Sequence, residues 1–227
     1  CELAKLGKEV DKSEWFTTPS TVTAYNNPSA NEIVFPAGIL QSPYFDNEAD
    51  DALNYGGIGM VIGHEITHTF DDQGAQYDKD GNVKDWWTKD DYEKFKFRIQ
   101  QVIDQYSTFT VLDSLHVKGD MTVGENTADI AGLAVAYDAF KMSQVGLDDA
   151  KIGNFTPDQR FFLSVARIWK VKMKDEFLRL WINNNSHSPP IWRVNGPLMS
   201  TTPFYDAFDV KPGDKMFLPK EDRITIW

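Results

Sequence analysis

Two histidines four residues apart, the first followed directly by a glutamate, make His64-Glu65-Ile66-Thr67-His68 the stretch of this sequence best suited to chemistry. On a helix, side chains at that spacing lie about 40° apart around the axis and one turn along it, so both imidazoles reach a single ion. Neutral imidazole is a good zinc ligand, and the intervening carboxylate is placed to act as general base toward a water on the metal. The competing reading is a surface helix whose histidines and glutamate are simply solvated. It fits the neighbours poorly: Met60, Val61, Ile62, Ile66 and Phe70 are apolar, and burying three polar side chains among them without a metal is costly.

Two histidines leave tetrahedral zinc short of a third protein ligand. Gly124-Glu125-Asn126-Thr127-Ala128-Asp129 carries two carboxylates four residues apart among small or apolar positions. Like charges at that spacing destabilise a helix unless something cationic sits between them. Glu125 is therefore read as the third ligand, and Asp129 as the carboxylate that accepts the outer ring N–H of a zinc histidine and fixes its tautomer. Asp71 and Asp72, just past the second histidine, are further candidates for that accepting role.

The elements that must position these groups are mostly helices. From Tyr55 to Phe70 the chain is apolar nearly all round, as expected of a helix buried inside a domain, and its glycines lower helix propensity so that close packing must compensate. Gly124 to Met142 reads as a second helix, with Ile130, Leu133, Ala134, Tyr137 and Phe140 on its apolar side. Thr88 caps a third, continued by Tyr92, Phe95, Ile99, Val102, Ile103 and Tyr106, and Thr156-Pro157-Asp158 opens a fourth through Trp169. A short helix follows near Lys174 to Ile182, and after Asn183 the Asn-, Ser-, Pro- and Gly-rich chain reads as ordered loop. Glu32-Ile33-Val34-Phe35 before Pro36-Ala37-Gly38 is a short strand and turn, so any sheet is small.

Composition narrows the class. A chain of 227 residues with 41% hydrophobic content suits one compact domain. Acidic residues outnumber basic ones 34 to 23, a net charge of -11 that would repel nucleic acid. No stretch approaches the ~20 apolar residues of a membrane-spanning helix, and Cys1 to Lys8 lacks the apolar core of a signal peptide. A single cysteine forms no internal disulfide. Asn154 and Asn184 open glycosylation sequons that carry little weight alone.

Taken together, the zinc motif, the stretch Glu125 to Asp129, the segment Asn31 to Gln41 and His187-Ser188-Pro189 leading to Arg193 resemble the neprilysin family of zinc metallopeptidases, and the likeness runs along nearly the whole chain. The resemblance implies an α+β, mostly α-helical fold: a thermolysin-like zincin catalytic domain with a small sheet beside the active-site helix. It implies one Zn2+ per chain and hydrolysis of short peptides on the amino side of hydrophobic residues, through a zinc-bound water activated by Glu65. It further implies that His187 donates to the oxyanion of the tetrahedral intermediate, that Arg193 binds a substrate carbonyl, and that Ala24 presents backbone to an extended substrate. Ile39, Tyr44, Met60, Val61, Ile168 and Trp169 would line the pocket on the primed side. His116, in the polar run Ser114 to Lys118, matches no role in the family and is read as surface.

The sequence departs from the family in two places. The pattern Asn-Ala-Tyr or Asn-Ala-Phe is Thr23-Ala24-Tyr25 here, so a hydroxyl stands where an amide would clamp substrate backbone. Family members also carry a large helical lobe before the catalytic part that closes over the site; Lys5 to Trp15 resembles the segment where the two lobes meet. Residues 1–227 are therefore read as one catalytic lobe whose partner is the missing N-terminal lobe. The single cysteine favours a bacterial member, and such proteins are exported: periplasmic, lipid-anchored at the cell surface, or extracellular. A zinc-stabilised peptide receptor is the main rival, but a receptor would have no need of Glu65.

Overall fold

The structure, a computed structural model, describes residues 2–147 and 150–227; Cys1, the single cysteine, lies outside them. Strands β1 (Tyr25–Asn27) and β2 (Glu32–Val34) form a two-stranded antiparallel hairpin in the register Tyr25↔Val34 to Asn27↔Glu32. After it, helix α1 (Asp51–Asn54), capped by the Asp50 carboxylate on the Ala52 N–H, runs through a wide π turn at Tyr55–Gly59 into α2 (Met60–Thr67) and a 3-10 turn at His68–Phe70. Helix α3 (Lys89–Ser107) begins at the expected cap, with Thr88 Oγ1 accepting from the Asp91 N–H. A hairpin that periodicity did not reveal, β3 (Thr110–Leu112) and β4 (Leu115–His116), leads to α4 (Val123–Ser143), and His116 is exposed there. Helix α5 (Pro157–Ile168) opens with a complete capping box between Thr156 and Gln159, and α6 (Asp175–Asn184) follows.

Beyond Asn184 the expected loop gives way to two helices, α7 (Pro190–Ser200) and α8 (Thr202–Phe208). Prolines suggested loop, yet Pro190 and Pro203 occupy first-turn positions where a missing N–H costs nothing. Pro197 sits inside α7 among buried neighbours, so packing overrides local propensity there.

Helix α4 is the spine of the fold, since one face joins a core cluster with Met60, Phe161, Phe162 and Val165 while another joins Val102, Tyr106, Ile224 and Ile226. A helix covered on both faces shows little amphipathicity. Its tightest partner is α2. A Cβ added at Gly63 would stand 2.4 Å from the Gly132 carbonyl oxygen, and one at Gly132 would stand 2.5 Å from the His64 nitrogen. Only glycines let the two backbones touch, and that crossing brings the first turn of α4 against the end of α2.

Expectation and structure differ on α2 itself. Its His64, Glu65, Gly63 and Thr67 are buried, but Ile62, Ile66 and Phe70 form a row that is 38%, 41% and 37% exposed. Helix α4 covers one side and β1 another, which leaves the third face open. The fold class is as anticipated, mostly helical with a small sheet beside the helix that carries His64. Among the described residues no helix is long and apolar enough to cross a membrane.

Candidate metal and catalytic centre

The crossing of α2 and α4 sets three ligand atoms facing one another. His64 Nε2 and His68 Nε2 are 2.9 Å apart, and Glu125 Oε2 lies 3.3 Å from the first and 3.8 Å from the second. The outer nitrogens are both committed: His64 Nδ1 donates to Asp129 Oδ1 at 2.8 Å, and His68 Nδ1 donates to Asp71 Oδ2 at 2.6 Å. With each Nδ1 committed to its aspartate, the two Nε2 atoms and the carboxylate oxygen turn toward one point, where a metal ion can take the place of the proton that His64 Nε2 otherwise holds. Ligand atoms about 2.0 to 2.1 Å from a tetrahedral ion stand roughly 3.4 Å from each other, and the three observed separations bracket that value. Among the described residues this is the one group of histidines and carboxylates disposed to hold a metal ion.

Sequence reading left Asp71 and Asp72 as alternatives, and the fold separates them. Asp71 is buried and pinned by the Gln73 and Gly74 N–H groups, which leaves its other oxygen for His68. Asp72 turns away to accept from Gln73 Nε2.

Electrostatics reinforce the cluster. Burial works against charge on His64, but Asp129 and Glu125 outweigh it and carry the imidazole up to about 9. Burial would raise Glu125, yet His64, Arg193 and His187 hold it down at about 2. Asp129, wholly buried, is held far below the usual carboxylate range by Arg193, which donates from Nε at 2.7 Å and from Nη2 at 2.8 Å. Glu65 differs from both: burial pushes it up, only partly offset by the two histidines. A buried carboxylate with a raised affinity for protons is suited to moving them.

His187 points its Nε2 at Glu125 Oε2, 3.1 Å away. Asn185 Oδ1 accepts from both the backbone N–H and Nδ1–H of His187 at 2.9 Å, and the Trp181 indole N–H holds the His187 carbonyl. Next to it, buried Ser188 donates to Asn126 Oδ1 at 2.6 Å, tying this loop to the helix that carries Glu125. Sequence reasoning assigned no role to Asn185, Asn126 or Ser188. The available signal was adjacency, since Asn126 lies between the two α4 carboxylates and the other two flank His187.

Two adjoining cavities flank the ligands. One, of about 410 Å³, is bordered by Thr23 to Asn26, Glu65, Gln73 and His187. The other, of about 240 Å³, is walled by Ile39, Tyr44, Met60, Val61 and Trp169, with Thr23, Ala24 and Arg193 at its border. The Arg193 guanidinium lies 4.0 Å over the Trp169 ring. Ile168 is not part of this wall. It continues the row of Phe161 and Val165 into the core, and Trp169, one residue and about 100° further round, is the side chain that reaches the cavity. Thr23 Oγ1 donates to the neighbouring Ala24 carbonyl at 3.3 Å. Of two larger grooves, one of about 670 Å³ meets the site only at Trp169 and one of about 660 Å³ is bordered by none of the ligands.

A helix pair presenting two imidazoles and a carboxylate, each imidazole backed by its own aspartate, and with a further glutamate in the cavity wall, is an arrangement disposed to hold a metal ion. The chain belongs to peptidase family M13, the family of neprilysin and the endothelin-converting enzymes, whose pattern it matches over residues 23–224. An endothelin-converting enzyme homolog of Locusta migratoria is 46% identical over 217 residues, covering 94% of this chain and 30% of the relative. A neutral endopeptidase of Lactobacillus helveticus is 41% identical over 230 residues, covering 99% and 33% respectively. Among solved structures, the Mycobacterium tuberculosis zinc metalloprotease ZMP1 in complex with an inhibitor superposes with a TM-score of 0.96 at 49% identity, over all of this chain and 35% of that one. The chain thus spans about a third of the length of these relatives.

Proposed function

We propose that this chain is the catalytic lobe of a zinc-dependent metalloendopeptidase acting on short peptides. The observation that carries the reading is the meeting of His64 Nε2, His68 Nε2 and Glu125 Oε2 beside the buried Glu65. Zinc suits two imidazoles and one carboxylate with a position left open, and when bound it supplies a Lewis acid that polarises a peptide carbonyl and acidifies water.

The chain's own groups do the rest. Glu65, raised toward proton affinity by burial, takes a proton from the attacking water and passes it to the leaving amine. His187 faces the developing oxyanion. Because its Nδ1–H is committed to Asn185, it donates from Nε2 only as the imidazolium; burial holds its pKa below the ordinary histidine value, with Glu125 offsetting part of that, so a proton must be taken up as negative charge develops opposite it. Arg193 is held by Asp129 through Nε and Nη2 and leans on Trp169, so its guanidinium is fixed at the cavity border to meet a substrate carbonyl. Thr23 and Ala24 precede β1, whose outer edge pairs with no other strand among the described residues, and a peptide adds there as an extended strand. The 240 Å³ cavity takes one hydrophobic side chain against its wall of Ile39, Tyr44, Met60, Val61 and Trp169, which sets cleavage on its amino side.

The relatives' greater length supports a second lobe, N-terminal to this one, that closes over the site, with residues 1–227 as a single catalytic domain. An exported location accords with that family setting. The Glu65→Gln variant tests the reading: it should bind zinc at the wild-type stoichiometry and lose on the order of 10²- to 10⁴-fold in turnover of a quenched peptide. Normal cleavage by that variant would remove Glu65 from the mechanism.

A further inference from the structure

Strand β1 follows directly on the backbone proposed to hold substrate, and it is tied to α2 through the side chain of Asn26. The Asn26 amide spends both of its hydrogens across that junction, donating to the Glu65 carbonyl at 2.9 Å and to Thr69 Oγ1 at 2.9 Å. The Glu65 carbonyl lies in the last turn of α2, where carbonyls run out of helical N–H partners. An amide from the neighbouring strand thus steadies the peptide unit of the very residue whose carboxylate moves the proton. The Asn26 Oδ1, in contrast, is buried with no hydrogen-bond partner among the described residues, and an unpaired buried acceptor is unfavourable. An apolar side chain of similar size would avoid that cost and make neither bond, so the two donors are the reason for an amide here.

We propose that Asn26 is a positioning residue that fixes the distance between the peptide-holding edge at Thr23–Tyr25 and the carboxylate of Glu65. This rests on the assignment of Glu65 as the proton carrier and of that edge as the substrate backbone's partner. Thr23, Ala24, Tyr25 and Asn26 border the same cavity as Glu65, so a shift of β1 along α2 moves a bound peptide relative to the proton-transferring group. A misplacement of about 1 Å is enough to cost on the order of 10²-fold in rate.

The test uses the whole zinc-loaded chain. Asn26→Asp keeps the shape and removes both donors, Asn26→Ala removes the side chain, and Thr69→Val removes only the second bond. The two Asn26 variants should lose roughly ten- to hundredfold in kcat with KM and zinc stoichiometry unchanged, while Thr69→Val stays near wild type. A readout independent of turnover is amide hydrogen exchange in the metal-free protein, which should quicken over Thr23–Asn27 in both Asn26 variants. Wild-type kcat in Asn26→Asp, or unaltered exchange in that segment, overturns the proposal. So does a loss of activity that merely follows loss of zinc or of folded protein, which assigns Asn26 to stability alone. Glu65→Gln separates the two levels: its retaining activity defeats the underlying function, whereas fully active Asn26 variants beside an inactive Glu65→Gln defeat only the positioning role.

Discussion

Metal and proton compete for one atom in this site, and the competition has a size. In the metal-free protein the Asp129 carboxylate at Nδ1 and Glu125 near Nε2 overcome burial and carry His64 to about 9. The ligand lone pair is on Nε2, so a metal ion must displace that proton before it can bind. At pH 7 only about one molecule in a hundred has His64 neutral. Apparent zinc affinity should therefore rise about tenfold per pH unit from pH 7 to 9 and then level off, with about one proton released per ion at pH 7. Glu125, held at about 2, is already ionised and contributes none. The same proton stabilises the metal-free fold. A histidine whose folded value lies above its unfolded 6.5 adds stability that is fully present below pH 6.5 and is lost as pH rises through about 9, and a rise from 6.5 to about 9 corresponds to roughly 3 kcal/mol. Chelator-competition titrations at four pH values, calorimetry in buffers of different ionisation enthalpy to count protons, and urea unfolding of the metal-free form measure all three quantities. Affinity that stays flat between pH 7 and 9, with no proton released, would mean that His64 is already neutral and that the Asp129–His64 pairing does not have the strength argued for it.

Three further outcomes follow from the same geometry. Asp129→Asn leaves the buried Arg193 guanidinium with only the longer Glu125 contact at 3.4 Å as counter-charge, so thermal or urea unfolding should show a loss of up to about 3 to 5 kcal/mol, with zinc affinity down roughly 10- to 100-fold as His64 loses its charged acceptor. Gly132→Ala puts a methyl group 2.5 Å from the His64 nitrogen; it should cost about 1 to 3 kcal/mol and weaken zinc binding, whereas Val135→Ala on the exposed side of α4 should do neither. Thr23→Asn supplies the amide that the family pattern has at this position, and peptide kinetics should show KM falling with kcat unchanged, the signature of binding gained equally in ground and transition states.

The parts of the site legible in the sequence are those whose chemistry is set by spacing along one helix. His64 and Glu65 on α2, His68 in the 3-10 turn that continues it, and the Glu125–Asp129 pair on α4 follow from the four-residue period, and two like charges in need of a cation point from the second segment to the first. What spacing could not supply was direction between elements. Asp71 and Asp72 are equivalent as neighbours of His68 until the turn at Gly74 pins one of them with two backbone N–H groups. Ile168 and Trp169 are both large and apolar, and only the roll of α5 against the core decides which one faces the cavity. Helices α7 and α8 were hidden because proline and asparagine count against helix locally, while Arg193, Leu198 and Tyr205 gain their burial from partners far away in sequence.

The dependence of the chemistry on one contact explains why so much of the molecule is spine rather than site. Glu125, Asp129 and Arg193 come from α4 and α7, His64 from α2 and His68 from the 3-10 turn after it, so no single element brings these groups together. Their meeting depends on Gly63 and Gly132 allowing backbone to touch backbone, while the aspartates behind the two imidazoles turn the rings inward. Arg193 then neutralises Asp129 from the other side, which lets a fully buried carboxylate stay ionised, whereas at Glu65 burial outweighs the charges of His64, His68 and Arg193 and pushes the carboxyl up. Three acids within one small volume are thus pulled apart, Glu125 and Asp129 downward and Glu65 upward, and what sorts them is how far the cations each can reach offset burial.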